Sequence, residues 1–399
     1  MNRNLKIKIL IVGVFFNTYL LNAQTELNSN YSILSNQSLI QSYKWGSKII
    51  PYLGETSILF NTGHVNSWYK DYQLNAGQSI NNPIQTIKLR SFKKQELETK
   101  TEEIKFANAE IQKQWVLNSL EFSYLSQQIV VIHKLFNAIE LADSTLIKRI
   151  VLGLNSNVDR LSINLLRGKL VLQMQKLNSN LINVKSNLLL LNPDLKEFPD
   201  SSILFNLDGK STSILIPEFE QRISIQEHRI KSIEKLTQYE QSSLFPRIQF
   251  GFTQQSFKGY QTINSNEVFF NNDKPFHSIQ IGLSAPLFTN GYIKNKTVKF
   301  HEIQSENLKL NALKLESSIR KSESKSRLET SANTIRQHIP SLIELLKMSE
   351  EMIHVKLSQQ NIDPMELARI IEQQAELSFS INEAYYLFQL DLINQKLNP

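Results

Sequence analysis

No glycine or proline interrupts the chain between Pro83 and Gly153. Without the two residues that most readily break a helix, the segment from about Ile84 to Arg149 is expected to form one helix, on the order of 90 Å long at 1.5 Å per residue. A returning helix follows. Leu170, Met174, Leu177, Leu181, Val184, Leu188 and Leu191 recur at alternating four- and three-residue spacing, which is a heptad seam. "NPD" at 192–194 ends it.

The same order comes back in the second half. An offset of 207 residues carries Leu170, Met174, Leu177 and Leu181 onto Leu377, Ile381, Ala384 and Phe388. An offset of 205 places Gly77 on Gly282 and Ser79 on Ser284, and one of 192 places Ile58 and Phe60 on Phe250 and Phe252. Each half reads as a short helix, two amphipathic strands, a long helix, a turn and a returning helix. A tandem duplication explains this, with repeats at 24–208 and 209–399. Strands are expected at about 55–63, 72–80, 247–257 and 276–286, and helical hairpins at about 84–192 and 290–397. The period is too long for a solenoid. The helix before the first strand, about Gln41–Tyr52, is short and weakly patterned.

The strands alternate apolar with small or polar residues. Ile248, Phe250 and Phe252 oppose Gln249, Gly251 and Thr253, while Ile279, Ile281 and Leu283 oppose Gln280, Gly282 and Ser284. That is the pattern of a membrane-spanning β-barrel strand, lipid on one side and water on the other. An ordinary half-buried soluble hairpin reads the same way. Four strands are too few to close a barrel in lipid, so the barrel reading requires several copies, and three supply twelve strands. Trp68 and Tyr69 fall in the first hairpin loop, where interfacial aromatics belong.

The first 23 residues look like an export signal, with Arg3, Lys6 and Lys8 ahead of "ILIVGVFFNTYLL" and a cut after Ala23. No later stretch is long and apolar enough for a membrane-spanning helix. The chain has no cysteine, which excludes disulfides, thiolate metal sites and a cysteine nucleophile. The formal charge of +7 falls to +4 without the signal's three cations. The charges are interspersed along the chain, so no nucleic-acid partner is expected. His64, His133, His228, His277, His301, His338 and His354 are scattered without ligand spacing. No G-x-S-x-G, H-E-x-x-H or P-loop occurs. Neither an enzyme nor a metal or cofactor site is expected. The polar run at 320–338 suits a helix facing water.

Several stretches resemble the TolC-like outer-membrane efflux proteins over roughly residues 45–397. "RIVLGLNSNVDRL" (149–161) and "NIDPMEL" (361–367) resemble the family's two helical tips, and "SAPLF" and "HIP" are similar to other family stretches. "FTQQSFKGYQTIN" and "FHSIQIGLSAPLF" resemble in particular the branch paired with heavy-metal exporters of the resistance–nodulation–division class. The resemblance implies a mainly helical fold with some β: long antiparallel hairpins in a periplasmic α-barrel, and four strands per protomer in a trimeric twelve-stranded outer-membrane β-barrel. It implies a passive channel that meets a periplasmic adaptor and an inner-membrane efflux pump. Two positions depart from the family pattern, with Gln360 in place of a glycine and Gln359 in place of the arginine that clamps the closed entrance in one member.

Asp363 and Glu366 match the acidic pair that rings the periplasmic entrance in the family. They also read as a helix start, aspartate as N-cap, proline first and glutamate three residues on. Asp159 has the same double reading, as entrance residue or as N-cap of the first returning helix. Leu152, Gly153, Leu154, Val158 and Ile362 fall at the expected tips, either as apolar surface for an adaptor or as a staple around each turn. Two function classes follow, a trimeric efflux channel or an exported coiled-coil interaction protein with a small soluble sheet.

Overall fold

The computed structural model describes residues 30–48, 53–66, 69–80, 82–199, 217–242, 245–263, 266–271, 276–284, 290–358 and 363–397. The expected export signal, Trp68, Gln359, Gln360 and Ile362 lie outside them. The chain divides into two compact units. One comprises Ser38–Ile104 and Ile223–Ala312, and the other Met1–Gln37, Lys105–Arg222 and Leu313–Pro399.

The first unit carries the strands β1 (Leu53–Asn66), β2 (Tyr69–Ile80), β3 (Arg247–Ile263), β4 (Asn266–Asn271) and β5 (Phe276–Ser284). All pair antiparallel, β1 with β2, β2 with β3, and β3 with both β4 and β5. The second hairpin is longer than its alternating core suggests. β3 runs to Ile263, and its return line is divided into β4 and β5. The register stacks residues into rows of one orientation. Ile58, Ala76, Phe252 and Ile279 form one row, and Thr56, Gln78, Phe250 and Ile281 the next row of the same face. The opposite face carries the row Ser57, Gly77, Gly251 and Gln280. A Cβ on Gly77 would stand 2.7 Å from the Ser57 Oγ, a contact that rotation of the Ser57 hydroxyl would relieve. Two polar residues on the apolar face answer one another. Thr56 Oγ1 donates to Gln78 Oε1, and Gln78 Nε2 donates to the Ser79 carbonyl at 3.0 Å.

Helices flank every outer strand end. α1 (Tyr31–Lys48) precedes β1, and α2 (Pro83–Val151) follows β2. α1 begins ten residues ahead of the weak helix expected at Gln41, because Asn30 caps it through the amides of Ser32 and Ile33 at 2.9 and 3.3 Å. α4 (Glu218–Ser242) leads into β3, and α5 (Asn290–Gln337) follows β5. Within this unit α4 is tied to α2 by Arg229–Glu103 at 2.8 Å and to α5 by Gln226–Glu306 at 2.6 Å.

The second unit is helical, built on α2, α3 (Arg160–Leu191), α6 (Ile339–Ser358) and α7 (Pro364–Leu397). Its largest core joins Ile132, Leu135, Ile139, Ala142 and Leu146 of α2 to Ile163, Leu166 and Leu170 of α3, and to Leu367, Ile371 and Ala375 of α7. The seam on α3 is clean. From 171 to 191 only its members and Lys185 escape full exposure. α5 gives way to α6 at His338. Pro340 has no amide hydrogen to donate, and the ladder steps over it with His338 N to Thr334 O at 2.9 Å and Leu342 N to His338 O at 3.1 Å. No helix among the described residues is long and apolar enough to cross a membrane.

Candidate functional site

The turn between α2 and α3 is a Schellman motif. Leu154 N donates to Arg149 O at 2.9 Å and Gly153 N to Ile150 O at 3.0 Å, with Gly153 at φ 72°. A left-handed residue at this position is what closes such a helix end. The motif usually brings an apolar contact between the residue after the glycine and the third-last helical residue. Here the latter is Arg149, and Leu154 stays 61 % exposed. The apolar staple is therefore open. Val151, Leu152 and Val158 are exposed as well.

Polar groups hold the turn instead. Arg149 Nε donates to Asn155 Oδ1 at 2.8 Å, and Asn155 Nδ2 donates to Asp159 Oδ2 at 3.1 Å. Ser156 N donates to the same carboxylate oxygen at 2.8 Å. This last bond, with help from Asn155, lowers the Asp159 pKa. Asp159 stands at the N-cap position of α3, but its carboxylate makes no hydrogen bond to that helix. It turns back to close the 3₁₀ turn Asn157–Asp159, which corrects the simple N-cap reading. The anchoring of α3 falls to its first residue. Arg160 grips Asp143 of α2 with two bonds, Nε to Oδ1 at 2.7 Å and Nη2 to Oδ2 at 2.8 Å. Arg167 adds a contact at 3.6 Å. The Arg160 hydrogen bonds hold the Asp143 carboxyl below its ordinary value.

At the second tip Asp363 does cap a helix. Its Oδ1 accepts from Met365 N at 2.9 Å and its carbonyl from Leu367 N at 3.0 Å. Glu366 reaches to α6, where Lys356 Nζ lies 2.9 Å away. The two tips are neighbours. Ser162 Oγ donates to Pro364 O at 3.3 Å, and Lys169 meets Glu372 at 2.8 Å. These pairs border a shallow groove also lined by Leu165 and Met365, both strongly exposed.

Sequence reasoning singled out Leu152, Gly153, Leu154, Val158, Asp159, Asp363 and Glu366, and all seven sit at these two tips. It passed over Val151, Leu165 and Met365, and the Asp143–Arg160 clamp. The clamp had a signal, since an antiparallel hairpin folded about 151–152 sets 143 opposite 160. Among the described residues no cluster of histidine and carboxylate side chains could hold a metal. The other candidate surface is the strand face. Ile279, Ile281 and Leu283 are each more than 70 % exposed, and Ile248, Phe250 and Phe252 are exposed beside them.

No protein-family model matches the sequence, and no curated protein sequence matches it. Solved structures do. The open-state MtrE outer-membrane channel of Neisseria gonorrhoeae superposes with a TM-score of 0.70 at 10% identity, covering 94% of this chain and 86% of that one. CusC, described in terms of folding and transmembrane channel formation, gives 0.68 at 13%, covering 95% and 90%. The outer-membrane protein VceC of Vibrio cholerae gives 0.64 at 12%, covering 96% of both chains. At such identities the likeness is one of backbone rather than of side chains. The chain has the fold of these outer-membrane channels, the fold that its resemblance to the TolC-like proteins implies.

Proposed function

We propose that the chain is the outer-membrane channel of a tripartite efflux system, a passive homotrimeric duct that docks to a periplasmic adaptor and, through it, serves an inner-membrane pump. One observation carries this reading. The sheet has one largely apolar face, yet among the described residues β1 pairs only with β2 and β5 only with β3. Exposed sheet edges are not tolerated in hydrocarbon, and closure by further copies removes them. Three chains then supply the twelve strands, with Ile248, Phe250, Phe252, Ile279, Ile281 and Leu283 toward lipid.

The helices support assembly independently. Besides its buried seam, α3 carries a second stripe in heptad register, with Leu161, Leu165, Leu172, Ile182 and Leu189 exposed on the isolated chain. On α6, Leu345, Met348, Met352 and Val355 are exposed at three- and four-residue spacing. A helix with two seams packs on two neighbours. In the assembled duct Asp363, Glu366 and Asp159 would ring the periplasmic entrance. The open tip at Leu152, Gly153, Leu154 and Val158, with Ile362, would receive the adaptor.

Fractionation and mass measurement test the proposal. The mature protein should partition with the outer membrane, require detergent, and run as three copies of the chain. Release by salt alone, or a monomer in mild detergent, would reject the channel and leave an exported coiled-coil protein.

A further inference from the structure

We infer that the strand–helix junctions form a basic collar that binds anionic phospholipid headgroups in the leaflet at the helical end of the barrel, an inference that rests on the channel reading. The sequence hides this collar because its parts lie far apart along the chain. The register gathers them. Leu53 stands opposite Ile80, Ile80 opposite Ile248, and Arg247 opposite Ser284. Those four strand ends share one edge of the sheet, and each leads to a helix end at Lys48, Pro83, Ser242 or Asn290.

Residues 44–53, 80–95, 241–247 and 284–301 contain ten lysines and arginines and not one aspartate or glutamate. The chain as a whole has 44 basic and 37 acidic residues, so a stretch free of acids at all four junctions is a local feature. All four stretches fall within the strand-bearing unit. Acidic residues border the stretches at Glu55 and Glu240, and along the helices Glu96 takes Lys93 at 2.8 Å, Glu98 lies 4.0 Å from Lys94 and Glu302 takes Lys299 at 2.9 Å, so the excess of cations is confined to the junctions themselves. Lys44 and Lys296 are exposed with no carboxylate partner among the described residues.

Apolar groups lie among the cations. Trp45 is 65 % exposed with Lys48 Nζ 5.2 Å above its ring, and Ile87 and Phe300 are exposed. Aromatic rings with long cationic side chains suit the level where acyl chains meet headgroups. A free anion would need converging donors in a pocket, whereas these cations are spread along a rim. The rim is continuous with the apolar strand face, so its occupant is a lipid surface with negative charge.

The test uses the full-length chain with Trp68→Phe, reconstituted in mixed bilayers with brominated lipid. Trp115 is buried in the helical core and supplies a constant background, so lipid-dependent quenching reports Trp45. Brominated phosphatidylglycerol should be favoured over brominated phosphatidylcholine by at least about fivefold in effective local concentration. That preference should collapse in ~0.5 M NaCl, where screening is strong, and in Lys44→Gln/Arg90→Gln/Lys94→Gln/Lys296→Gln. The salt titration needs no charge variant to fold. Equal quenching by both lipids, or a preference indifferent to salt, overturns the collar while leaving the channel intact. Absence of quenching by either lipid places Trp45 outside the membrane and likewise overturns the collar, while the channel reading stands or falls separately on fractionation and mass.

Discussion

Lysine placed along β5 should cost the more, the nearer its position lies to the middle of the membrane. Strands rise ~3.3 Å per residue and tilt by about 40° in such barrels, so each residue climbs roughly 2.5 Å. Counted from Ser284 at the helical edge, Leu283 lies about 3 Å, Ile281 about 8 Å and Ile279 about 13 Å into an apolar band ~25 Å tall. In the proposed barrel Ile279 would therefore be closest to mid-membrane, in the row of Phe252, Ala76 and Ile58. Lysine there should cost about 3–4 kcal/mol, at Ile281 about 2–3, and at Leu283 no more than ~1. Gln280 lies between them on the other face, beside Gly251, where a Cβ would meet the Gln280 side chain at 3.5 Å and its backbone carbonyl oxygen at 3.9 Å. Gln280→Lys should be nearly neutral. Denaturant titration of the refolded protein in lipid vesicles measures all four. A Gln280→Lys penalty equal to that of Ile281→Lys, or a cost that peaks at Leu283, would refute the assignment of faces and depth.

At the second tip, Asp363→Asn with Glu366→Gln should leave folding close to the parent, because asparagine caps as well as aspartate. If three copies converge there, the same double variant should lower cation selectivity in planar-bilayer conductance, and unchanged selectivity would reduce both residues to local structure. Arg160 lowers the folded pKa of Asp143, so this group's stabilising share is whole above the ordinary aspartate value of about 4 and disappears as pH falls through the lowered folded value. Asp143→Asn should thus lower the thermal midpoint at neutral pH, with the gap to the parent closing in acid; a gap independent of pH would contradict the linkage. Gly153→Ala meets no atom within 4 Å, so its cost is that of the left-handed backbone alone, about 1–2 kcal/mol, read by thermal unfolding.

Where a physical period was strong, the sequence was readable. The α3 seam from Leu170 to Leu191 could be laid out residue by residue because a heptad repeat has one partner face. The strand faces followed from two-residue alternation, and β3 through Phe252 obeys it. Gln78 did not fit that pattern, and only the register explains it, by setting Thr56 across from it as its hydrogen-bond partner. Asp159 misled for a related reason. Its place before a helix is that of a cap, but Ser156 and Asn155 offer donors behind it and win the carboxylate. The basic collar was invisible in principle to a linear reading, since pairing across the sheet creates it.

Asn82 has a bearing on how such a chain reaches its final form. Its side chain caps α2 through Ile84 N at 2.8 Å and also donates to the carbonyl of Pro246, 164 residues away, at 3.2 Å. That bond sits at the base of the β2–β3 seam. The β1–β2 ribbon has only two residues between its strands and can form in microseconds. Closing a loop of the β2–β3 length costs about 4–5 kcal/mol of chain entropy before any contact repays it. Docking α3 on α2 first replaces most of that slack with an ordered hairpin. Until then β2 and β3 each present a bare edge of unpaired N–H and C=O groups beside apolar side chains, the kind of surface that captures other chains. The expected order is helical hairpins early and the central seam late, and because β1 and β5 keep unpaired edges until further copies join, the exposure to aggregation should last until assembly.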